Sequence, residues 1–260
     1  MDLKLKDKIA LVTGGSHGLG KGICLELAAE GAKVAVNYYR NTEENVDLVE
    51  AANAVVDEIR DTYGVEAMAV PCDVAKEDEV EEMFRLIEEK LGMVEVLVNN
   101  AAVCPTCPVK DMTEAVWTRT IEVNLTGTFL TSRAFVNRLL PAEKKGKIVN
   151  ISSQAAFRGS TTGHSPYDAS KGGIVSFTVA LAREVATAGI NVNAVAPGMI
   201  HTEMTAKTIA ANTEKYLNRI PLRWIAKPRD IATVVVFLAS EAANYMTGAT
   251  VDVSGGMLMR

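Results

Sequence analysis

The chain has 260 residues, 48% hydrophobic and 23% charged, with a formal net charge of −5 at pH 7. That is ordinary for a globular protein with a real core, long enough for one large α/β domain. The acidic balance and scattered basic residues argue against nucleic acid or an anionic membrane as partner, and no apolar run approaches the length of a bilayer span. The charged start, Met1 to Asp7, is too short and wrongly flanked for a signal peptide, so a soluble cytoplasmic protein is expected.

In chain order, apolar strand-like runs fall at 8–14, 33–39, 66–74, 94–101, 146–153, 190–198 and 248–256. Helical periods lie at 19–31, 43–62, 76–91, 113–140, 167–187 and 228–239. The runs are near-continuous rather than alternating, as in parallel strands buried on both faces. Strand and helix alternate with short connections, which predicts an α/β, doubly wound parallel sheet of Rossmann type in a single domain. Residues 199–227 break the rhythm with a long polar insert after a strand's carboxyl end, where a lid would sit.

The first strand runs into TGGSHGLG, Thr13 to Gly20, with glycines at 14, 15, 18 and 20. Glycine allows a tight turn and close backbone approach, and the following helix offers unpaired N–H groups to a phosphate. The bland alternative is a turn that only changes direction. At the end of the second strand stand Tyr39, Arg40 and Asn41, with no acid until Glu43. A carboxylate there would favour NAD, whereas Arg40 suits a 2′-phosphate and favours NADP(H). NAD(H) stays open, and Arg40 is otherwise a solvated surface charge.

Asn99 to Ala102 end the fourth strand, and Ser152 and Ser153 end the fifth. In open parallel sheets, ligands bind outside such carboxyl ends. Tyr167 and Lys171 are four residues apart at a helix start, which puts them on one face. A nearby ammonium is expected to lower the tyrosine pKa and poise it for alcohol–ketone chemistry. Alone, such a pair is more often an ordinary surface contact. Asn124 is a polar residue on an otherwise apolar helix face, either paired with backbone or part of a polar site. The Cys104-Pro105-Thr106-Cys107 segment suggests a redox dithiol or half a zinc site, but its prolines fit a loop. With one such pair and three histidines at no ligand spacing, no metal is expected.

These motifs together, Thr13-Gly14-x-x-x-Gly18-x-Gly20, Asp73-Val74, Asn99-Asn100-Ala101, Asn124, Ser153, Tyr167-x-x-x-Lys171 and Pro197-Gly198-x-Ile200-x-Thr202, resemble the short-chain dehydrogenase/reductase family over essentially the whole chain. The resemblance implies that Tyr167 is the general acid or base, and that Lys171 lowers its pKa and binds the nicotinamide ribose. It implies that Ser153 holds the substrate oxygen, and that Asn124 holds a helix distortion and a relay water. Asp73 and Val74 would contact adenine, Asn100 and Ala101 the adenosine side, and Ile200 and Thr202 the carboxamide. Ser16, His17, Leu19, Tyr39, Arg40, Asn41, Ala102, Pro197 and Gly198 complete the implied cofactor contacts. Departures are Ala102 for a usual glycine, Ser254 for a usual acid, and one extra residue between Ser153 and Tyr167, with Ser152 as the fallback.

The function expected is reduction of a ketone by NADPH, in a pattern that resembles 3-oxoacyl carrier-protein reductases and glucose dehydrogenases. Alternatives are a sugar or polyol dehydrogenase, and a catalytically silent nucleotide-binding protein. Members of the family are often tetramers, packing through helices like 113–140 and 167–187 and the C-terminal strand.

Overall fold

All seven apolar runs become strands, most of them presenting apolar side chains to both faces of the sheet. The structure is a computed structural model and describes residues 2–41, 46–160 and 162–259. In chain order the strands are β1 (Ile9–Val12), β2 (Lys33–Tyr38), the two-residue β3 (Arg40–Asn41) and β4 (Val46–Asp47), β5 (Ala67–Pro71), β6 (Val96–Asn99), β7 (Gly146–Ile151), β8 (Ile190–Pro197) and β9 (Thr250–Val253). Seven of them form one sheet, ordered β5-β2-β1-β6-β7-β8-β9, with every neighbouring pair parallel. The chain walks one way from β1 to β5 and the other way from β6 to β9. The order therefore reverses between β1 and β6, which opens a crevice at their carboxyl ends.

Adjacent residues of one strand feed opposite layers. Val12 packs with Ile23 and Leu27 of α1 (Gly18–Ala29), with Val55 and Ile59 of α2 (Val49–Tyr63), and with α9 (Pro228–Ala239). Leu11 packs on the other side with Phe84 of α3 (Glu77–Lys90), in a layer shared by α5 (Gly127–Leu139) and α7 (Ser165–Val185). Burial of such side chains contributes roughly 1.5–3 kcal/mol each.

Three details differ from the sequence reading. The helix expected from 43 begins at Val49, because Val46 and Asp47 pair back antiparallel with Arg40 and Asn41 and the Asp47 carboxylate accepts from Val49 N–H at 3.0 Å. Residues 43–45 lie outside the described residues. The helix expected at 113–140 is α4 (Glu114–Ile121) and α5, joined by a π-helical turn, Glu122–Thr126. The polar insert 199–227 is mostly helix: α8 (Glu203–Arg219) starts from a Thr202–Thr205 capping box and is kinked at Asn212, with φ −141° and ψ 24°. A one-turn α6 (Ala155–Arg158) follows Ser153.

Candidate active site

The glycine turn is held by side chains that grip backbone. Thr13 Oγ1 accepts from the N–H groups of Asn100 and Ala101 at 2.9 and 3.0 Å. The Asn100 amide donates to the carbonyls of Thr13 and Gly14, and buried Asn37 accepts from Gly14 N–H at 3.0 Å. Gly14 and Gly18 have φ of +61° and +54°, where a side chain is strained. A Cβ at Gly20 would lie 2.1 Å from the Gly14 carbonyl oxygen, so α1 can press this close only with glycine there. His17 precedes the first turn of α1 without capping it, leaving that turn's N–H groups to an anion. Ser16 is buried, with Oγ 2.9 Å from His17 Nδ1, and Leu19 packs against the core. Asn100 thus braces the turn, rather than only approaching a cofactor from outside.

At the β2 end, exposed Arg40 pairs with Asp47 at 3.2 Å, and Asn41 donates to the Tyr39 hydroxyl at 2.9 Å. Sequence reasoning missed Arg119. Its guanidinium lies 5.6 Å from the Tyr39 ring centre and 2.9 Å from Asp73 Oδ2. It reaches from α4 to Asp73, one of the two residues that the family resemblance implies for adenine. No sequence spacing links residues 119, 73 and 39. Only the opposed ends of β2, β5 and α4 bring them together.

On the other side of the crevice, Asn124 is fully buried in the π turn. Its amide donates to the Val103 carbonyl and to Ser170 Oγ, both at 3.0 Å, and its oxygen accepts from Val103 N–H at 2.8 Å. The turn adds one residue to the helix, and so aims Asn124 at the segment leaving β6. Ser152 donates to the Lys171 carbonyl at 2.9 Å, which anchors α7 and removes it as a substitute for Ser153. Ser153 Oγ accepts from Ala155 N–H at 3.1 Å, and the serine lies near enough to Tyr167 to oppose the rise of that phenol's pKa. The extra residue before Tyr167 falls in the loop between α6 and α7.

Lys171 is buried beneath the tyrosine. Its Nζ donates to the Ile151 carbonyl at 2.6 Å and lies 5.5 Å from the Tyr167 ring centre. Desolvation lowers Lys171 to about 8. The expected lowering of Tyr167 is corrected here: burial raises it well above its usual value, Cys104 adds to the rise, and Ser153 opposes it. The ammonium faces the ring and a carbonyl oxygen, and burial disfavours its own charge.

Beyond β8, Gly198 N–H donates to Val253 and a Cβ there would meet Ser254 Cα at 2.8 Å. Ser254 itself accepts from Leu258 N–H at 3.0 Å, a local role in closing the C-terminus. Ile200 bridges to Ala226, and Thr202 packs over Gly18, whose Cβ would fall 3.7 Å from the Thr202 Cβ. A cavity of about 580 Å³ runs from Gly18 past Thr202 to Pro228. A larger one, about 680 Å³, lies at the amino-terminal edge of the sheet among Lys8, Glu95 and Lys147, away from the tyrosine. The chemistry of the side chains, not the size of these cavities, singles out the rim around Tyr167. Among the described residues no group of three or more metal-ligating side chains occurs, and no helix is long and apolar enough to cross a membrane.

A family model described as enoyl-(acyl carrier protein) reductase matches residues 14–258. A 3-oxoacyl-(acyl-carrier-protein) reductase of Synechocystis is 42% identical over 256 residues, covering 98% of each chain. Its counterpart in Aquifex aeolicus is 37% identical over 257 residues, covering 99% of this chain and all of that one. Among solved structures, a protein of Agrobacterium tumefaciens provisionally described as a gluconate dehydrogenase matches with a TM-score of 0.91 at 35% identity, covering 100% of this chain and 99% of that one. Another from that organism, provisionally a 2-deoxy-D-gluconate 3-dehydrogenase with bound NADP, matches at 0.85 and 36%, with the same coverage.

Proposed function

The chain belongs to the short-chain dehydrogenase/reductase family of oxidoreductases, and from that premise we propose that it reduces a ketone to a secondary alcohol with NADPH, using Tyr167 as the general acid. The observation that carries this reading is buried Lys171 with its Nζ 5.5 Å from the Tyr167 ring centre, beside Ser153 at the carboxyl end of β7. NADPH supplies the hydride when bound. The glycine turn fits its pyrophosphate, since the first turn of α1 has no side-chain cap and its N–H groups face the crevice end of β1.

Ala155 N–H occupies one lone pair of Ser153, and the serine proton stays free to be donated to the substrate oxygen. Tyr167 gives that oxygen its proton as negative charge develops there. Burial holds the tyrosine protonated, so it is always loaded for reduction, and an alkoxide is a far stronger base than a phenolate.

Arg40 supports NADP(H) over NAD(H). Its pairing with Asp47 is exposed on both sides and worth little, so a 2′-phosphate can displace it. Asn124, Asp73, Val74, Ile200 and Thr202 take the roles the family resemblance implies, and Lys171 the nicotinamide-ribose contact, with 199–227 as the substrate lid. Trp117, Phe129, Leu140 and Val179 stand exposed on α4, α5 and α7 and their ends, which supports assembly into a homotetramer of a cytoplasmic enzyme. A second reading, a sugar-acid or polyol dehydrogenase, is favoured by the descriptions of the matching solved structures.

The test is Tyr167→Phe, followed at 340 nm with NADPH and a panel of ketones. Turnover is expected to fall by about 10²–10⁴, with NADPH affinity retained. Wild-type-like turnover would sink the assignment. Turnover confined to polyols with oxidised cofactor would move the reading to the second. Cofactor binding without any turnover by the unaltered protein would make it catalytically silent.

A further inference from the structure

The Cys104-Pro105-Thr106-Cys107 segment takes no part in that proton path, yet it lies against it. It leaves β6 through Val103, whose N–H and C=O are both held by the Asn124 carboxamide. The four residues form neither turn nor bend. An extended stretch of this length separates the cysteines by roughly 10 Å, beyond the reach of a disulfide. Both thiols are free.

The far side of the segment is stitched to the loop before α7. Cys107 N–H donates to the Gly163 carbonyl at 2.8 Å. Gly163 has φ +80°, and a Cβ there would lie 2.8 Å from the Cys107 carbonyl carbon, so the seam requires glycine. His164 closes it. Its Nδ1 is 3.0 Å from the Pro105 carbonyl oxygen and 3.7 Å from Cys104 Sγ. A carbonyl oxygen only accepts, so Nδ1 carries the proton and the sulfur shares it weakly. His164 is therefore no base for the thiol. Cys104 is near enough to act electrostatically on both Tyr167 and Lys171, and burial pushes the thiol itself up to about 11. It is a neutral wall beside the reacting groups.

Resting on the reductase reading, we propose that His164 is a positioning residue: its Nδ1–H clasps Val103–Pro108 onto the start of α7 and holds the Cys104 side chain as the wall that limits substrate bulk beside Tyr167. The two cysteines then differ in role. Cys104 faces the site, while Cys107 belongs to the seam.

The test uses ethyl 3-oxobutanoate and its 2-methyl analogue as probes, with NADPH binding followed by fluorescence. His164→Ala is expected to raise KM for the linear ester about three- to tenfold, the worth of one hydrogen bond. It should also narrow the gap between linear and branched esters, while the NADPH Kd stays within about twofold. His164→Asn, whose amide can reach the same carbonyl, should recover most of the loss, and Cys104→Ala should narrow the same gap with the clasp intact. If His164→Ala does not fold, those two variants carry the test. Wild-type KM and wild-type discrimination in a folded His164→Ala, or unchanged discrimination in Cys104→Ala, would overturn the inference alone. A wild-type protein that binds NADPH but reduces neither these esters nor any other ketone would overturn the reductase reading, and this inference with it.

Discussion

The turn after β1 and the insert after β8 leave the same rim and touch where Thr202 covers Gly18, yet they are built on opposite principles. The turn is fixed by sterics and by amide grips from Asn37 and Asn100, with the first N–H groups of α1 left uncapped for an anion. In α8, Ile209 is the buried side chain among those described, and the helix bends at Asn212. Pyrophosphate is common to every nicotinamide cofactor, so its holder is served by one rigid geometry. Substrates differ, and a lightly anchored helix can change its lining without disturbing the sheet.

The contrast can be broken by substitution. Gly20→Ala carries the largest expected effect. Its Cβ meets a backbone oxygen at 2.1 Å, so α1 must retreat, and NADPH affinity should fall at least about 100-fold by titration. Near-normal affinity would mean the turn is not rigid. Lys171→Met tests the cost of the buried ammonium. With a folded value of about 8 against an unfolded 10.5, the folded state carries the full penalty below pH 8 and sheds it as pH rises to 10.5. Wild-type stability in urea should therefore rise by about 2 kcal/mol from pH 7 to 9.5, and the Met variant should lack that rise. Above pH 10 the raised tyrosine opposes the gain. Parallel pH profiles would refute the assignment.

Arg40→Ala is expected to weaken NADPH about tenfold and NADH under twofold, since only the 2′-phosphate is lost as a partner. Equal effects would remove Arg40 from cofactor choice. At the small end, Trp224→Ala in the exposed part of the insert should change urea stability by less than about 0.5 kcal/mol, while KM shifts by severalfold between ketones. A stability loss above about 2 kcal/mol would show the insert to be as tightly built as the turn.

The sheet was legible because strands buried on both faces, such as 94–101 and 190–198, read as near-continuous apolar runs. Tyr167 and Lys171 were legible because their spacing fixes a shared helix face. The β3–β4 pair was not, since two-residue strands leave no periodicity. The helical content of 199–227 was hidden by its polarity. Arg119 was invisible because its partners Asp73 and Tyr39 are distant in sequence. The direction of the Tyr167 shift depends on where Lys171 Nζ points and how dry the site is, and spacing encodes neither.

The π turn at Glu122–Thr126 also makes chain length a constraint at one place. Each helical residue advances the chain by about 100°. Removing one residue here would restore a regular helix but rotate α4 about that angle against α5. Arg119 would swing from Asp73 while Asn124 lost its grip on Val103. Surface loops elsewhere can gain or lose a residue in the course of evolution at little cost. This helix cannot, so insertions and deletions among descendants of this chain should skirt 114–139.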